Sequence, residues 1–248
     1  MGKPQPSTAS RAQPARSDRA NGGERAASVS GAVDTLVRAL EEDIIFGQLK
    51  PRERLVEDVL MERSGAKRHV VRQALAELER QGIVVRERNK GCAVRDFATE
   101  EVEALYDMRA LLQRHAAELI PLPAAAELVA DLTAIHEAHA AAVEAGDLRA
   151  VYRLNNDFHD TFFAACGNPY LVKAIADHAW IAHAIRSYRI GDPTLLAQAR
   201  DEHGQMISAL TRGDRKQLVA LCVDHITPSK EAYLRTKRFV EPKRGTGR

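Results

Sequence analysis

The chain has 248 residues, of which 45% are hydrophobic, so it is long enough for one large or two modest domains with packed cores. Its formal net charge is only +2, so the overall charge gives no argument for nucleic-acid binding, and the distribution of charge along the chain has to be considered. The three cysteines form no CxxC pair, which argues against a disulfide framework and a zinc finger. No apolar run approaches about 18 residues and no signal peptide is recognisable, so we expect a cytoplasmic protein without a membrane partner.

The first 30 residues differ in composition from the rest of the chain. They are rich in Pro, Ser, Gly, Ala and Arg and have almost no large apolar side chains, so they cannot bury enough surface to fold. We therefore expect a disordered leader over residues 1–30. A flexible tail is expected at the other end, over residues 239–248.

Residues 31–98 have the pattern of a winged helix-turn-helix domain, which is three helices followed by a small hairpin. Apolar residues recur at helical spacing in three segments, and these segments are expected to end near Gly47, Gly65 and Gly82. Two short strands are predicted next, at 83–88 and 92–95, joined by a turn that contains Asn89 and Gly91.

Residues 99–238 contain only helical patterns and predict an antiparallel bundle of six or seven helices. Thr99 is the expected N-cap of the first helix, and Gly-Asp pairs stand at two of the later joints. The fold class is therefore mainly α, with an N-terminal winged helix-turn-helix and a C-terminal bundle for effector binding and dimerisation. The predicted helices cover about 99–120, 124–145, 148–165, 170–189, 194–211 and 215–237.

The positive charge of the first domain is concentrated where such domains contact DNA. Residues 31–62 contain four basic and eight acidic residues, whereas residues 63–95 contain nine basic and three acidic ones. Arg68 and Arg72 lie one turn apart on the third helix, and an arginine fork matches guanine O6 and N7 or a phosphate. A solvated basic face is the alternative. The candidate DNA-binding residues are Lys67, Arg68, His69 and Arg72 on the helix, and Lys90 and Gly91 in the hairpin.

Three histidines of the second domain lie on or beside the apolar stripes of three different helices. They are His159, His203 and His225, and Asn155 lies one turn before His159 on the same face. Imidazoles that converge from neighbouring helices suit a divalent metal such as Zn or Ni. The alternative is a set of hydrogen-bonded core residues, and the spacing alone does not decide between the two.

The segment "LKPRERLVEDVLMERSGAKRHVVRQALAELERQGIVVRERNKGCAVRDF" resembles the N-terminal domain of GntR-type bacterial transcription regulators. Matching positions include Pro51, Glu57, Arg68, Arg72 and Gly91. The resemblance implies a DNA-binding transcription regulator. The sequence departs from the family pattern at four positions, but both arginines are retained, so the departures suggest a shifted operator preference rather than a loss of DNA binding. These departures are Arg52 for Gly, Ser64 for Leu, Lys67 for Ser and Val70 for Pro.

The segments "NNDFHDTFFAACGNPYL", "RDEHGQMISALTRGD" and "LCVDHI" resemble the helical effector domain (FCD) of the FadR-like GntR subfamily. The resemblance implies a metal that helps to hold a small carboxylate effector. Asn155 stands where an Asp is common, and an amide oxygen is a weaker ligand than a carboxylate. Arg109 matches a family arginine that could pair with the effector, and Trp180 could form a pocket wall. The metal ligands carried over are Asn155, His159, His203 and His225.

The leading hypothesis is a homodimeric transcription regulator, not an enzyme, that binds a near-palindromic double-stranded operator under the control of a small carboxylate. Two alternatives remain at this stage. One is a metal-dependent hydrolase with a three-histidine site, although no H-E-x-x-H spacing is present. The other is a constitutive DNA-binding dimer without an effector.

Overall fold

The structure is a computed structural model that describes residues 18–88 and 90–240, without the side chains of residues 18–29, 187–190 and 238–240. The predicted leader therefore lies outside the described residues up to residue 17, and the predicted tail does so from residue 241 onward. Helix α1 begins at Asp18, well before the boundary expected at residue 30. Ala, Arg and Glu in this stretch have high helix propensity and can extend a helix without burying a core.

The winged helix-turn-helix predicted for the N-terminal region is present. Its three strands form an antiparallel sheet in the order β1-β3-β2, with β1 between the first two helices, and Arg54 pairs with Ala93 and Val84 with Val94. Strand β1 was not predicted, because two residues are too few to show an alternating pattern. The elements are α1 (Asp18–Ile45), β1 (Arg54–Leu55), α2 (Glu57–Ser64), α3 (Arg68–Arg80), β2 (Val84–Glu87) and β3 (Gly91–Val94).

Eight helices follow within residues 99–240. Two predicted helices are each divided in the structure. One is interrupted at Ala182, where the sequence contains no helix breaker, and the other at residues 225–226, just before Pro228. The helices are α4 (Thr99–Leu119), α5 (Ala126–Ala145), α6 (Leu148–Ala164), α7 (Pro169–Ile181), α8 (His183–Ile190), α9 (Pro193–Arg212), α10 (Arg215–Asp224) and α11 (Thr227–Val240).

Side-chain caps begin several of these helices. Asp147, Asn168, Asp192 and Asp214 each accept hydrogen bonds from backbone N–H groups in the first turn of the helix that follows. The start of α4 differs from the prediction. Ala98 is the N-cap in place of the predicted Thr99, and its backbone N–H is bound by the side chain three residues further on.

One hydrophobic core joins the winged helix-turn-helix to part of the bundle. Leu40 of α1 and Leu75 of α3 belong to the same buried cluster as Ile185 of α8 and Tyr233 of α11. A second cluster fills the bundle around Phe158 and its neighbours. The two parts are therefore in direct contact through α1, α8 and α11. None of the helices in the described part of the chain has the length and apolar character needed to cross a membrane.

Candidate functional site

The DNA-facing residues predicted on α3 are exposed and lie together. Lys67 is the N-cap of the helix, and the side chains of Arg68, His69 and Arg72 are exposed, whereas Val71 is buried. The strongly amphipathic character of α3 produces this division, because its apolar residues recur at three- and four-residue spacing. The arrangement leaves the N-terminal end of α3 open to a nucleic-acid groove.

Acidic residues of α2 bind both arginines. Glu57 accepts from Nε of Arg72 at 3.0 and 2.9 Å, and from Nη1 of Arg68 at 3.4 Å. Asp58 lies 2.6 Å from Nη2 of Arg68. These carboxylates were not predicted as part of the interface, because they stand 11 and 10 positions before Arg68 and only the fold brings them to it.

The hairpin tip also has the predicted position. Lys90 and Gly91 are exposed, and the φ of +82° at Gly91 explains why a glycine stands there. Arg54 of β1 fixes the tip from the neighbouring strand, because its Nε and Nη2 atoms donate to the backbone oxygen of Lys90 at 3.1 and 2.5 Å. This supporting role of Arg54 was not predicted.

The three predicted histidines converge inside the bundle. One potential ligand atom from each of His159, His203 and His225 lies within 4.8 Å of the others. His203 and His225 are buried, and His159 is half-buried. The ring of Phe158 stacks on His203, with centroids 4.1 Å apart, and so fixes the plane of that imidazole.

One distance within this cluster suits a shared divalent ion. Nε2 of His159 lies 3.1 Å from Nε2 of His225. Two nitrogens bound to one Zn ion at about 2.1 Å are about 3.0–3.4 Å apart, so little movement is needed to share an ion. Glu202 lies 2.6 Å from Nδ1 of His225. A carboxylate in this position directs the other imidazole nitrogen toward a metal.

A cavity of about 70 Å³ lies beside the cluster. It has room for a few water-sized groups and therefore for a small molecule. Asn155, His159 and His225 line it, whereas His203 completes the histidine cluster without lining the cavity. Side chains that were not assigned to an effector site also line it, and the polar ones are Gln113, His139, Tyr152, Arg186 and Ser229.

Arg109 is the least satisfied charge in this cavity. Only 5% of the residue is exposed, and its Nε and Nη1 atoms have no hydrogen-bond partner among the described residues. Burial lowers the pKa of this guanidinium, and the positive charge of Arg186 acts in the same direction. The Tyr106 ring, 4.7 Å away, provides a cation–π contact. A buried cation of this kind favours an anion in the cavity.

Trp180 is not in this cavity. Its Nε1 atom donates to Oε1 of Gln81 at 3.0 Å, and the ring packs against the core shared with the winged helix-turn-helix. The structure therefore brings Arg109 and Asn155 together with the histidines and places Trp180 at the contact between the two parts of the chain.

Two family models match the chain in succession. Residues 32–94 match the model described as bacterial regulatory proteins, gntR family, and residues 104–228 match the FCD domain. The second match covers just over half of the chain. Regulators with these two domains are DNA-binding transcription factors rather than enzymes, and the FCD domain binds ligands and can bind metals.

Curated relatives and solved structures agree with these matches. The chain is 28% identical over 140 residues to the HTH-type transcriptional regulator YdhC of Bacillus subtilis (strain 168), which covers 56% of this chain and 62% of that protein. It is 29% identical to an HTH-type regulator of Agrobacterium vitis, over 55% of this chain and 82% of that protein.

The fold is similar to that of E. coli McbR/YncC, with a TM-score of 0.67 and 17% identity over 84% of this chain and 99% of that one. It is also similar to a GntR transcriptional regulator from Rhodococcus sp. RHA1, with a TM-score of 0.69 and 18% identity over 83% of this chain and 99% of that one. The chain belongs to the GntR family of bacterial regulatory proteins and carries an FCD domain.

Proposed function

We propose that this protein is a transcription regulator whose affinity for a double-stranded DNA operator is controlled by a small carboxylate bound in the FCD cavity. Arg109 carries this proposal. It is a buried guanidinium with two nitrogens that have no hydrogen-bond partner in the described part of the chain, and it lies beside a histidine cluster in a cavity of small volume. A carboxylate supplies two acceptors in the plane that the guanidinium fork requires. A cytoplasmic location, where the operator is accessible, is part of the proposal.

The operator contacts are assigned to the exposed basic face. Arg68 and Arg72 read bases from the major groove, because they combine fork geometry with a position near the start of α3. The remaining candidates contact the phosphate backbone, and they are Lys67, His69, Lys90 and Gly91.

The regulator acts as a homodimer on a near-palindromic site. Helix α4 exposes Met108, Leu111 and Leu119, with exposed fractions of 43%, 61% and 41%. Their spacing places all three on one side of the helix, where an apolar contact with the same helix of a second copy would cover them. Two winged helix-turn-helix domains would then face half-sites about one helical turn of DNA apart.

A divalent ion, Zn or Ni, is the cofactor that the cluster would hold. The ligands would be His159, His203 and His225, with the amide oxygen of Asn155 as the fourth. When bound, the ion would add a positive charge that attracts the carboxylate of the effector. Because Asn155 is neutral, the site retains more positive charge than it would with an aspartate. This increases its attraction for an anion and weakens its hold on the metal.

A thermal-shift screen tests the effector assignment. Purified full-length protein is heated with mono- and dicarboxylates of two to six carbons, with and without added Zn or Ni. An acid at 100 times its Kd should stabilise the protein by about 2.7 kcal/mol, which is a rise in melting temperature of about 5–10 °C. The stabilising acid should also change the affinity for a duplex that the protein has selected from random sequences.

The alternatives give different results. A constitutive DNA-binding dimer would bind the selected duplex with the same affinity whether or not any acid is present, and no acid would stabilise it. The hydrolase alternative conflicts with the family assignment, because regulators with these domains are not enzymes.

A further inference from the structure

Helix α1 of the winged helix-turn-helix also forms part of the wall of the effector cavity. Ile45, in its last turn, lines the cavity together with Arg109 and His159 and is only 2% exposed. Further toward the N-terminus of the same helix, Leu36 and Leu40 pack in the core that contains the apolar face of α3. One continuous helix therefore contacts both the cavity and the helix assigned to DNA reading.

A buried polar cluster attaches α1 to the bundle one turn before Ile45. The Tyr152 hydroxyl donates to Oε1 of Glu41 at 2.7 Å. Nδ1 of His183 lies 2.8 Å from the Tyr152 hydroxyl and 2.8 Å from the same Oε1 atom. Burial raises the pKa of Tyr152 and lowers that of His183 to about 4, so both are neutral at pH 7. Three helices, α1, α6 and α8, thus meet in one set of hydrogen bonds with little exposure to solvent.

This cluster is also adjacent to the charges of the cavity. Tyr152 lines the cavity, and Arg186, one turn after His183 on α8, lines it too. Arg186 donates to Oδ1 of Asn156 at 3.3 Å, and Asn156 lies one turn after Tyr152 on α6. An anion that contacts Arg186 or the Tyr152 ring therefore acts on the two helices that hold Glu41 in place.

We propose that α1 is the element that couples effector occupancy to DNA binding, through Ile45 in the cavity wall and through the Glu41–Tyr152–His183 cluster. The proposal rests on the proposed function and names its route of regulation. A ligand can shift an equilibrium only as far as it contacts two states differently. Ile45 and Tyr152 are the contacts that change when α1 moves relative to α6 and α8.

Glu41→Gln is the variant that tests this route most directly. It keeps the size of the side chain, removes the charged acceptor and does not alter a residue that lines the effector cavity. Tyr152→Phe is the second variant, because it removes only the hydroxyl. Tyr170→Phe is the matched control, since Tyr170 is 85% exposed at the start of α7.

The first measurement needs no effector. Without ligand, Glu41→Gln and Tyr152→Phe should each change the Kd for the selected duplex by at least about fivefold, the lower end of typical coupling. Hydrogen exchange in residues 36–45 should become faster in both variants. Tyr170→Phe should change neither quantity. Kd values within twofold of wild type in both folded variants would overturn the proposal, whatever the outcome of the thermal-shift screen.

The second measurement uses the acid identified by thermal shift. In the wild type the acid should slow hydrogen exchange both in the bundle and in residues 36–45. In Glu41→Gln it should still protect the bundle, while the protection of residues 36–45 and the change in duplex affinity are lost. Retention of both in Glu41→Gln would exclude this route. A screen in which no acid stabilises the protein would contradict the proposed function. The coupling role of α1 would then be decided by the first measurement, which needs no acid.

Discussion

Glu57 binds Arg72 through both carboxylate oxygens, which lie 3.0 and 2.9 Å from the Nε atom of the arginine. The same carboxylate reaches Arg68, so a single side chain of α2 orients both arginines assigned to base reading. Binding at Nε also leaves the outer edge of the Arg72 guanidinium available to DNA. The two Nη atoms on that edge are the ones that form a fork with a guanine.

The first prediction compares two acidic residues of α2. Glu57→Gln should weaken binding to the selected duplex by about tenfold, because the Arg72 guanidinium is then held less firmly. Its bidentate contact with a guanine would be worth about 1–3 kcal/mol of discrimination against other bases. Asp58→Asn removes the same charge from a side chain that is 73% exposed and should strengthen binding to any duplex by about two- to fivefold. Fluorescence anisotropy with selected and scrambled duplexes measures both effects. If both variants strengthened binding equally, charge alone would account for the result and orientation by Glu57 would be excluded.

The second prediction concerns Arg109, the buried cation of the cavity. Arg109→Met should leave the ligand-free melting temperature unchanged or raise it, because an apolar side chain of similar length replaces a buried charge. It should also abolish stabilisation by the acid found in the screen. Arg149→Met, at an exposed arginine of α6, is the control and should keep that stabilisation. A large loss of ligand-free stability in Arg109→Met would mean that the cavity already satisfies this guanidinium.

The third prediction concerns metal affinity. Glu202→Gln should lower the affinity for Zn or Ni by about 10–100-fold, since the carboxylate no longer orients His225. Asn155→Asp should raise that affinity, because a charged ligand replaces a neutral one, whereas Asp157→Asn on the same helix should not change it. Titration calorimetry and elemental analysis of the dialysed proteins measure these changes. If the histidines only fill the core, neither the wild type nor any of the three variants should take up metal.

The fourth prediction concerns pH. Burial raises the pKa of Asp96, but hydrogen bonds from Lys237, Arg52 and Tyr233 outweigh this and lower the pKa below 3.8. A depressed pKa gives stability that is present above the unfolded value and is lost as the pH falls through the folded value. Asp96→Asn should therefore lower the free energy of unfolding by about 1–3 kcal/mol at pH 7. Urea unfolding should show this difference shrinking below about pH 4, and a constant difference would contradict the assignment.

The fifth prediction concerns the dimer. Leu111→Lys places a charge in the centre of the exposed apolar stripe of α4 and should weaken self-association at least tenfold without lowering the melting temperature of the monomer. Light scattering coupled to gel filtration measures the mass. Tyr170→Lys is the control for an exposed apolar residue elsewhere and should leave the mass unchanged. An unchanged mass in Leu111→Lys would exclude α4 as the contact between copies.

Local patterns in the sequence were sufficient for much of the fold. The amphipathic stripe of α3 and the capping aspartates predicted the helices because these signals act over one or two turns. The break at Ala182 had no such signal, since neither Gly nor Pro stands near it. The histidines were found because they lie on or beside apolar stripes at helical spacing, and the family resemblance supported them. The pairing of Glu202 with His225 joins two helices and has no local pattern.

The position of Arg52 shows how a departure from a family pattern can be accommodated. Arg52 replaces the usual glycine and keeps a φ of +69°, which costs an L-residue about 1–2 kcal/mol. Its Nε atom lies 2.5 Å from Asp96, and this ion pair offsets part of the cost. The sequence identified the substitution, but the compensating partner lies 44 residues away and became visible only in the folded chain.

The position of Ile45 limits how far this regulator can be recombined with others. A chimera that joins a foreign winged helix-turn-helix to residues 99–240 would discard Ile45, which lines the cavity, and Glu41, which attaches α1 to the bundle. Such a fusion would retain the helical domain and lose part of its chemical selectivity. The functional boundary for exchanging sensors therefore lies before the last three turns of α1, and a transplant that includes residues 36–45 is the one expected to keep its response.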